Sequence, residues 1–282
     1  LLKRSKRPMK SKIQLLVMDL DGTLLDSSER ISDATIQAIC QAKKLGVKTA
    51  IATGRVLSEA QFAIEAAGVE DYLIEMNGSK ITDLRTREVL YDQPMPSKLV
   101  EKIIDYLGEE YVYQLYTDQG VFCTEYSFPR LEIAGMSAHY LEMFGSKIQQ
   151  TTLERLKTLR SYKFLVIEKD STRLERLVQN VMKIPELNCV NSLPNYHEIV
   201  LAGMDKRIAL EKLSRVLAIS PEHMLAIGDS GNDREMLNYV GTGVVLANGN
   251  QKLKEEIGII FPSNDEDGVC HAIEAFILNK RG

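Results

Sequence analysis

From Ile13 to Met18 the chain carries a single polar side chain, Gln14, and the run then stops at Asp19-Leu20-Asp21-Gly22. An apolar stretch with so little polar alternation fits a strand covered on both faces, as inside a parallel sheet. Parallel neighbours need crossover connections, usually helical, so the rest of the chain must supply helices between strands. It does. Ser32 can cap a helix with Ile36, Ile39 and Cys40 on one side, and Gly46 stands where a C-terminal cap belongs. Val47–Ala52 reads as a second strand ending in Thr53-Gly54-Arg55. A helix from Ser58 to Ala67 stops at Gly68, and Tyr72–Met76 reads as a third strand. This β-α-β-α-β order predicts a doubly wound, mainly parallel, Rossmann-like α/β core.

The rhythm then changes. Asn77-Gly78 starts a turn, a hairpin follows at Ile81-Thr82 and Val89–Tyr91, and Pro94 and Pro96 mark a boundary. Helices are expected near Ser97–Leu107, Arg130–Phe144, Thr152–Leu159 and Thr172–Lys183. Strands are expected near Tyr111–Thr117, Val121–Glu125, Tyr162–Ile167 and Leu187–Asn191, which together suggest an α+β module. From about Ile199 the strand–helix alternation resumes, through a strand at Met224–Ile227 to a last helix from Gly268 to Leu278. The expected organisation is a discontinuous core, 9–93 and 199–282, interrupted by an inserted domain at 94–198. Residues 1–8 read as a disordered tail or an added leader ahead of a natural start at Met9. Tyr111, Tyr113 and Tyr116 could stack on a base, but a half-buried strand explains them more cheaply.

With 44% hydrophobic and 26% charged residues, the 282-residue chain is expected to pack a core in water. A net charge of −4 offers no global attraction for nucleic acid, despite the basic patch from Lys3 to Lys12. No run is apolar enough to span a membrane. Cys40, Cys123, Cys189 and Cys270 are far apart and read as free thiols in a reducing, cytoplasmic setting.

Four patches fall at strand ends or at a helix start. Asp19 and Asp21 stand two apart, and on a strand such positions point to the same side. The pair is therefore expected to converge at the carboxyl edge, where open α/β sheets bind ligands. Carboxylates that close repel unless a cation sits between them, and Mg²⁺ is the simplest choice. Alone, D-x-D-G is more often a surface turn. Thr53-Gly54-Arg55 offers a hydroxyl and N–H groups for a phosphate oxygen, though an ordinary turn reads the same. Lys206 stands at a helix start, where the macrodipole favours acids and a solvated lysine is the default. Gly228–Asp233 sets Asp229, Asn232 and Asp233 at a strand-to-helix turn that could ligate a hard cation or merely cap the helix. The order of the four decides: nucleophile, phosphate cradle and metal clamp are what phosphoryl transfer needs.

With these motifs on the page, the sequence resembles the haloacid dehalogenase superfamily, and within it the Cof-type, sugar-phosphatase-like branch. The resemblance is carried by D-x-D-G-T-L-L at Asp19–Leu25, by Thr53-Gly54-Arg55, by Lys206 and by G-D-x-x-N-D-x-x-M-L at Gly228–Leu237, with Asn77-Gly78 and Ser263–Val269 in support. Arg207 and Gly249 depart from the branch's usual glycine and alanine.

The resemblance implies that Asp19 attacks phosphorus to form an aspartyl-phosphate, while Asp21 protonates the leaving alcohol and then accepts a proton from water. It implies Mg²⁺ held by Asp19, the Asp21 backbone carbonyl and Asp229. Lys206, Thr53 and Asn232 would surround the phosphate with the N–H groups of Leu20 and Gly54. Asp233 would orient Lys206 or a metal-bound water. The inserted domain would act as a lid that excludes water and chooses the leaving group. The implied activity is a Mg²⁺-dependent phosphatase of small phosphorylated metabolites, sugar phosphates among them, with no nucleic acid or membrane partner. A phosphomutase or phosphotransferase uses the same motifs, and a non-catalytic phosphate-responsive binding module is the third alternative. Oligomeric state is left open.

Overall fold

The computed structural model describes residues 13–193 and 195–279. The tail expected at residues 1–8, with Met9 and the basic residues Lys10 and Lys12, lies outside them. In chain order the strands are β1 (Leu15–Met18), β2 (Lys48–Ala52), β3 (Tyr72–Glu75), β4 (Lys80–Asp83), β5 (Val89–Asp92), β6 (Val112–Thr117) and β7 (Gly120–Thr124). There follow β8 (Gln149–Thr151), β9 (Ser161–Ile167), β10 (Leu187–Leu193), β11 (Tyr196–Leu201), β12 (Met224–Gly228), β13 (Thr242–Leu246) and β14 (Ile260–Phe261). The chain divides into two compact units. Among the described residues, one holds those up to Arg55, Ala60–Tyr91 and those from Asp205 on; the other holds Val56–Glu59 with Asp92–Met204.

The first unit carries an eight-stranded sheet in the order β14-β13-β12-β1-β2-β3-β4-β5. β1 pairs in parallel with both β12 and β2, Leu15 standing opposite Met224 on one side and Lys48 on the other. β13 and β14 extend the parallel set on one side and β3 on the other, and β4 then joins β3 antiparallel. All four residues of β1 are fully buried, as a strand covered on both faces requires. On one face Leu15, Val17, Ala50 and Ala226 pack with Ala209, Leu210 and Leu213 of the helix Lys206–Leu217. Strand order reverses direction at β1, so its carboxyl end, beside that of β12, is a topological switch point.

The second unit carries a six-stranded sheet, β10-β11-β9-β6-β7-β8, antiparallel except for the β7–β8 pair. Tyr113, Leu115, Phe164, Val166 and Ile199 face the helices Ser97–Leu107 and Ser171–Val181, which contribute Val100, Ile104, Leu174 and Leu177. Tyr113 and Tyr116 are buried strand residues, as aromatic strand preference suggests.

Two expectations need correction. The helix expected over Arg130–Phe144 is broken: Leu131–Ala134 ends at Gly135, whose φ is +125°, and Ser137 caps a new helix, Ala138–Phe144, by accepting from the Tyr140 N–H. Residues 196–201 form β11 rather than a return to the first unit, because that strand is needed between β9 and β10. Among the described residues no helix is long and apolar enough to cross a membrane, and the four cysteines are free.

Candidate active site

Asp19 is the first residue past β1. Its N–H donates to the Ile227 carbonyl at 3.0 Å, so its backbone still follows β12. Its carboxylate is buried and accepts a bond from Lys206 Nζ at 2.5 Å. The same ammonium donates to Asp233 Oδ1 at 2.6 Å, and neither Lys206 nor Asp233 is exposed at all. Asp233 Oδ2 accepts the N–H groups of Asp229 at 3.1 Å and Ser230 at 3.0 Å. One carboxylate thus ties the loop after β12 to the lysine. Asp229 Oδ1 accepts from the Thr23 hydroxyl at 3.0 Å. Asp19, Asp229 and Asp233 each offer an oxygen, all within 4.8 Å of one another.

Local sequence explains why these groups meet. Gly22 has a φ of +74°, and a Cβ there would stand 2.7 Å from Asp229 Oδ2, so a side chain would displace the carboxylate. The turn it belongs to is closed by bonds from the Leu24 N–H to the Asp19 carbonyl at 3.2 Å and from the Leu25 N–H to the Leu20 carbonyl at 3.0 Å. Asn248 Nδ2 braces it by donating to the Gly22 carbonyl at 2.7 Å. Lys206 can stand at a helix start because Asp205 meets the helix's preference for an acid, its carboxylate accepting from the Ile208 N–H at 2.8 Å. Gly78, with a φ of +102°, lets the chain after β3 press on that helix start: a Cβ would lie 2.1 Å from the Asp205 carbonyl oxygen.

The electrostatics follow from three buried carboxylates around one ammonium. Burial, then Asp233, pushes the Asp19 carboxyl well above the usual carboxylate range; Lys206 opposes this only in part. Burial and Asp233 likewise push Asp229 up to about 6, against the Thr23 hydrogen bond and Lys206. Burial alone would lower the Lys206 pKa, but Asp19 and Asp233 outweigh it and raise it. Fully ionised, the cluster carries two excess negative charges. A hard divalent cation with oxygen ligands is the partner such a donor set fits.

Thr53, directly after β2, is fully buried, and its hydroxyl accepts the Arg55 N–H at 3.1 Å. Its carbonyl accepts the Asn77 N–H at 3.0 Å. Asn77 Oδ1 in turn accepts from Asn232 Nδ2 at 3.1 Å and lies 3.3 Å from where a Cβ on Gly54 would be. Asn77, which the sequence marked as a turn and as part of the resemblance, thus bonds Asn232 and packs against Gly54. Leu20 opens the turn after Asp19.

The structure brings Asp19, Asp229, Asp233 and Lys206 together. The Asp21 carboxylate is not a member of that cluster, although its charge still acts on Asp19. β1 stops at Met18, so Asp19 and Asp21 do not share a strand, and the alternation that pointed them the same way no longer applies. The Asp21 carboxylate is bound instead by Arg55, Nη2 to Oδ1 at 2.5 Å and Nε to Oδ2 at 3.1 Å. Thr23, Asn77 and Asn248 were given no role in the reading of the sequence: Thr23 and Asn77 stood inside quoted motifs, and Asn248 only beside Gly249.

A strand order that reverses at β1, with an acid cluster at the carboxyl edge that could hold a metal ion, describes the ligand site of a doubly wound α/β enzyme. The sequence matches the haloacid dehalogenase-like hydrolase family over residues 16–273, and the chain belongs to that family of enzymes. An HMP-PP phosphatase of Yersinia pseudotuberculosis serotype O:1b (strain IP 31758) is 30% identical over 268 residues, covering 94% of this chain and 95% of its own. Among solved structures, a haloacid dehalogenase-like hydrolase from B. subtilis superposes with a TM-score of 0.82 at 25% identity, over 93% of this chain and 99% of that one. A HAD subclass IIB sugar phosphatase superposes with a TM-score of 0.74 at 22% identity, over 93% and 98%, a likeness of fold.

Proposed function

We propose that this protein is a Mg²⁺-dependent phosphatase of small phosphorylated metabolites that works through an aspartyl-phosphate on Asp19. The observation that carries the reading is the fully buried Lys206 bonded to both Asp19 and Asp233, with Asp229 beside them. A buried ammonium and a surplus of carboxylates form a site that accepts a cation and an anion together. Names of relatives point the same way: the Yersinia protein is named for HMP-PP, and the structural neighbour is a sugar phosphatase.

Asp19, Asp229 and the Asp21 backbone carbonyl would hold the ion, with Asp233 orienting Lys206. Bound there, Mg²⁺ would supply charge that lets a carboxylate approach a phosphate. Asp19 attacks phosphorus while the bond from phosphorus to the leaving oxygen breaks, and Asp21 gives that oxygen its proton. Water then attacks the aspartyl-phosphate and returns a proton to Asp21, releasing phosphate and restoring Asp19. Lys206 holds charge on the phosphate, and Thr53, Asn232 and the N–H groups of Leu20 and Gly54 hold its oxygens. Leaving-group choice is assigned to the inserted segment, Asp92–Met204.

The test is Asp19→Asn. Phosphate release from 4-nitrophenyl phosphate should vanish while the circular dichroism spectrum and melting behaviour stay folded. Full turnover by this variant would overturn the assignment.

A further inference from the structure

Arg55 grips Asp21 at both carboxylate oxygens, at 3.1 Å and 2.5 Å, the fork geometry that gives arginine–carboxylate pairs their directional strength. The two partners are unequal. The Arg55 side chain is only 12% exposed against 54% for Asp21. The guanidinium lies 5.7 Å from the centre of the Phe62 ring, and Glu29 Oε1 is 3.9 Å from Nη2. The Arg55 backbone is pinned too: its N–H donates to the Thr53 hydroxyl at 3.1 Å and its carbonyl accepts the Met76 N–H at 3.2 Å. Asp21 is the residue before Gly22, in a turn of extended and left-handed backbone. The arginine is the anchored member and the aspartate the one being placed.

We propose that Arg55 is a positioning residue for phosphoryl transfer, clamping the Asp21 carboxylate toward the leaving group and away from the Asp19–Asp229–Asp233 cluster. The proposal rests on the phosphatase reading above. Without the clamp, an exposed carboxylate beside a glycine samples several rotamers, and proton delivery to the departing oxygen falls with the fraction correctly placed. The free carboxylate would also compete for the cation as an extra oxygen ligand. A carboxylate held at both oxygens accepts bonds and gives none. The proton that Asp21 delivers as the bond from phosphorus to the leaving oxygen breaks is the one it accepted from the hydrolytic water of the preceding turnover, and one bond to Arg55 opens to admit it.

Leaving groups separate this role from a structural one. An alkoxide needs a proton to depart; 4-nitrophenolate does not. With saturating Mg²⁺, Arg55→Met should lower the single-turnover rate of ester cleavage on a hexose 6-phosphate by about tenfold or more, while the burst rate of 4-nitrophenolate release from 4-nitrophenyl phosphate stays within about twofold; the later hydrolysis of the aspartyl-phosphate, which also uses Asp21, is common to both esters. Arg55→Lys, which keeps one bond and loses the fork, should show the same asymmetry at smaller size, and it serves if the methionine variant fails to fold. In an Asp21→Asn background, Arg55→Met should cause no further loss of the cleavage rate on the hexose ester, because its effect runs through Asp21. Equal losses of the cleavage rate on both esters, or additive losses in that background, would overturn the clamp and place Arg55 on the phosphate or in the fold. Wild-type protein that hydrolyses neither ester would instead sink the phosphatase reading itself.

Discussion

Lys206 answers to Asp19 and Asp233 at once, so removing the lysine and removing one carboxylate are opposite perturbations. Lys206→Met leaves two buried carboxylates facing each other with nothing between them. Breaking a buried ion pair from one side typically costs about 3–5 kcal/mol. Asp19→Asn removes one of the surplus negative charges and leaves an amide oxygen to accept from Lys206. In EDTA, urea melts should therefore show Lys206→Met strongly destabilised and Asp19→Asn at least as stable as the wild type. The reverse order would mean that Lys206 is not the ion holding the cluster together. Asp19, Lys206, Asp229 and Asp233 were legible because each stands at the end or start of an element with a clear pattern. The Asp21 carboxylate was misread for a reason of the same scale. A period of two holds only while the strand lasts, and the strand ends before the first aspartate. Its actual partner, Arg55, lies 34 positions away, and nothing in local spacing reveals it.

At the scale of elements, the helix Lys206–Leu217 is set against the turn after β3 by a contact only glycine permits. Gly78→Ala would force a Cβ into the Asp205 carbonyl at a φ that L side chains avoid. Gly258 has a φ of +74° but nothing within 4 Å of its would-be Cβ, so Gly258→Ala isolates the cost of the conformation alone, about 1–2 kcal/mol. Gly78→Ala should cost clearly more in a urea melt and should lower kcat too, because the helix start that carries Lys206 must retreat. Similar losses in both variants, with kcat unchanged in both, would show that the contact does not register the site. Elements with strong periodicity were legible, the parallel strands above all. The misses have physical causes. Gln149–Thr151 joins a sheet with no apolar residue to announce it. Gly135 and Ser137 carried a stop and a start inside what looked like one amphipathic helix, and the apolar spacing across them concealed the break.

For the whole molecule, the net charge of −4 conceals the quantity that matters, a local surplus of carboxylate at the end of the central strands. That surplus makes stability depend on pH and cation together. Asp229 is raised from an ordinary 3.8 to about 6, chiefly by burial and then by Asp233. A carboxyl raised on folding favours the folded state when protonated. Its contribution is whole below the unfolded pKa and is lost as pH rises through the folded one. By the usual 1.36 kcal/mol for each pKa unit, the loss is on the order of 3 kcal/mol, and Asp19, raised in the same direction, adds to it. In EDTA, this group should therefore favour folding at pH 4 and disfavour it at pH 7.5, with the difference between wild type and Asp229→Asn giving its share. Mg²⁺ binds the ionised form, so millimolar Mg²⁺ should raise the wild-type melting temperature at pH 7.5. That gain should fade toward pH 4 as protons take the ligands. In Asp229→Asn both the EDTA slope and the Mg²⁺ gain should shrink together. A gain that survives in that variant would place the cation elsewhere, and an equal gain at both pH values would mean that it does not compete with protons at this cluster.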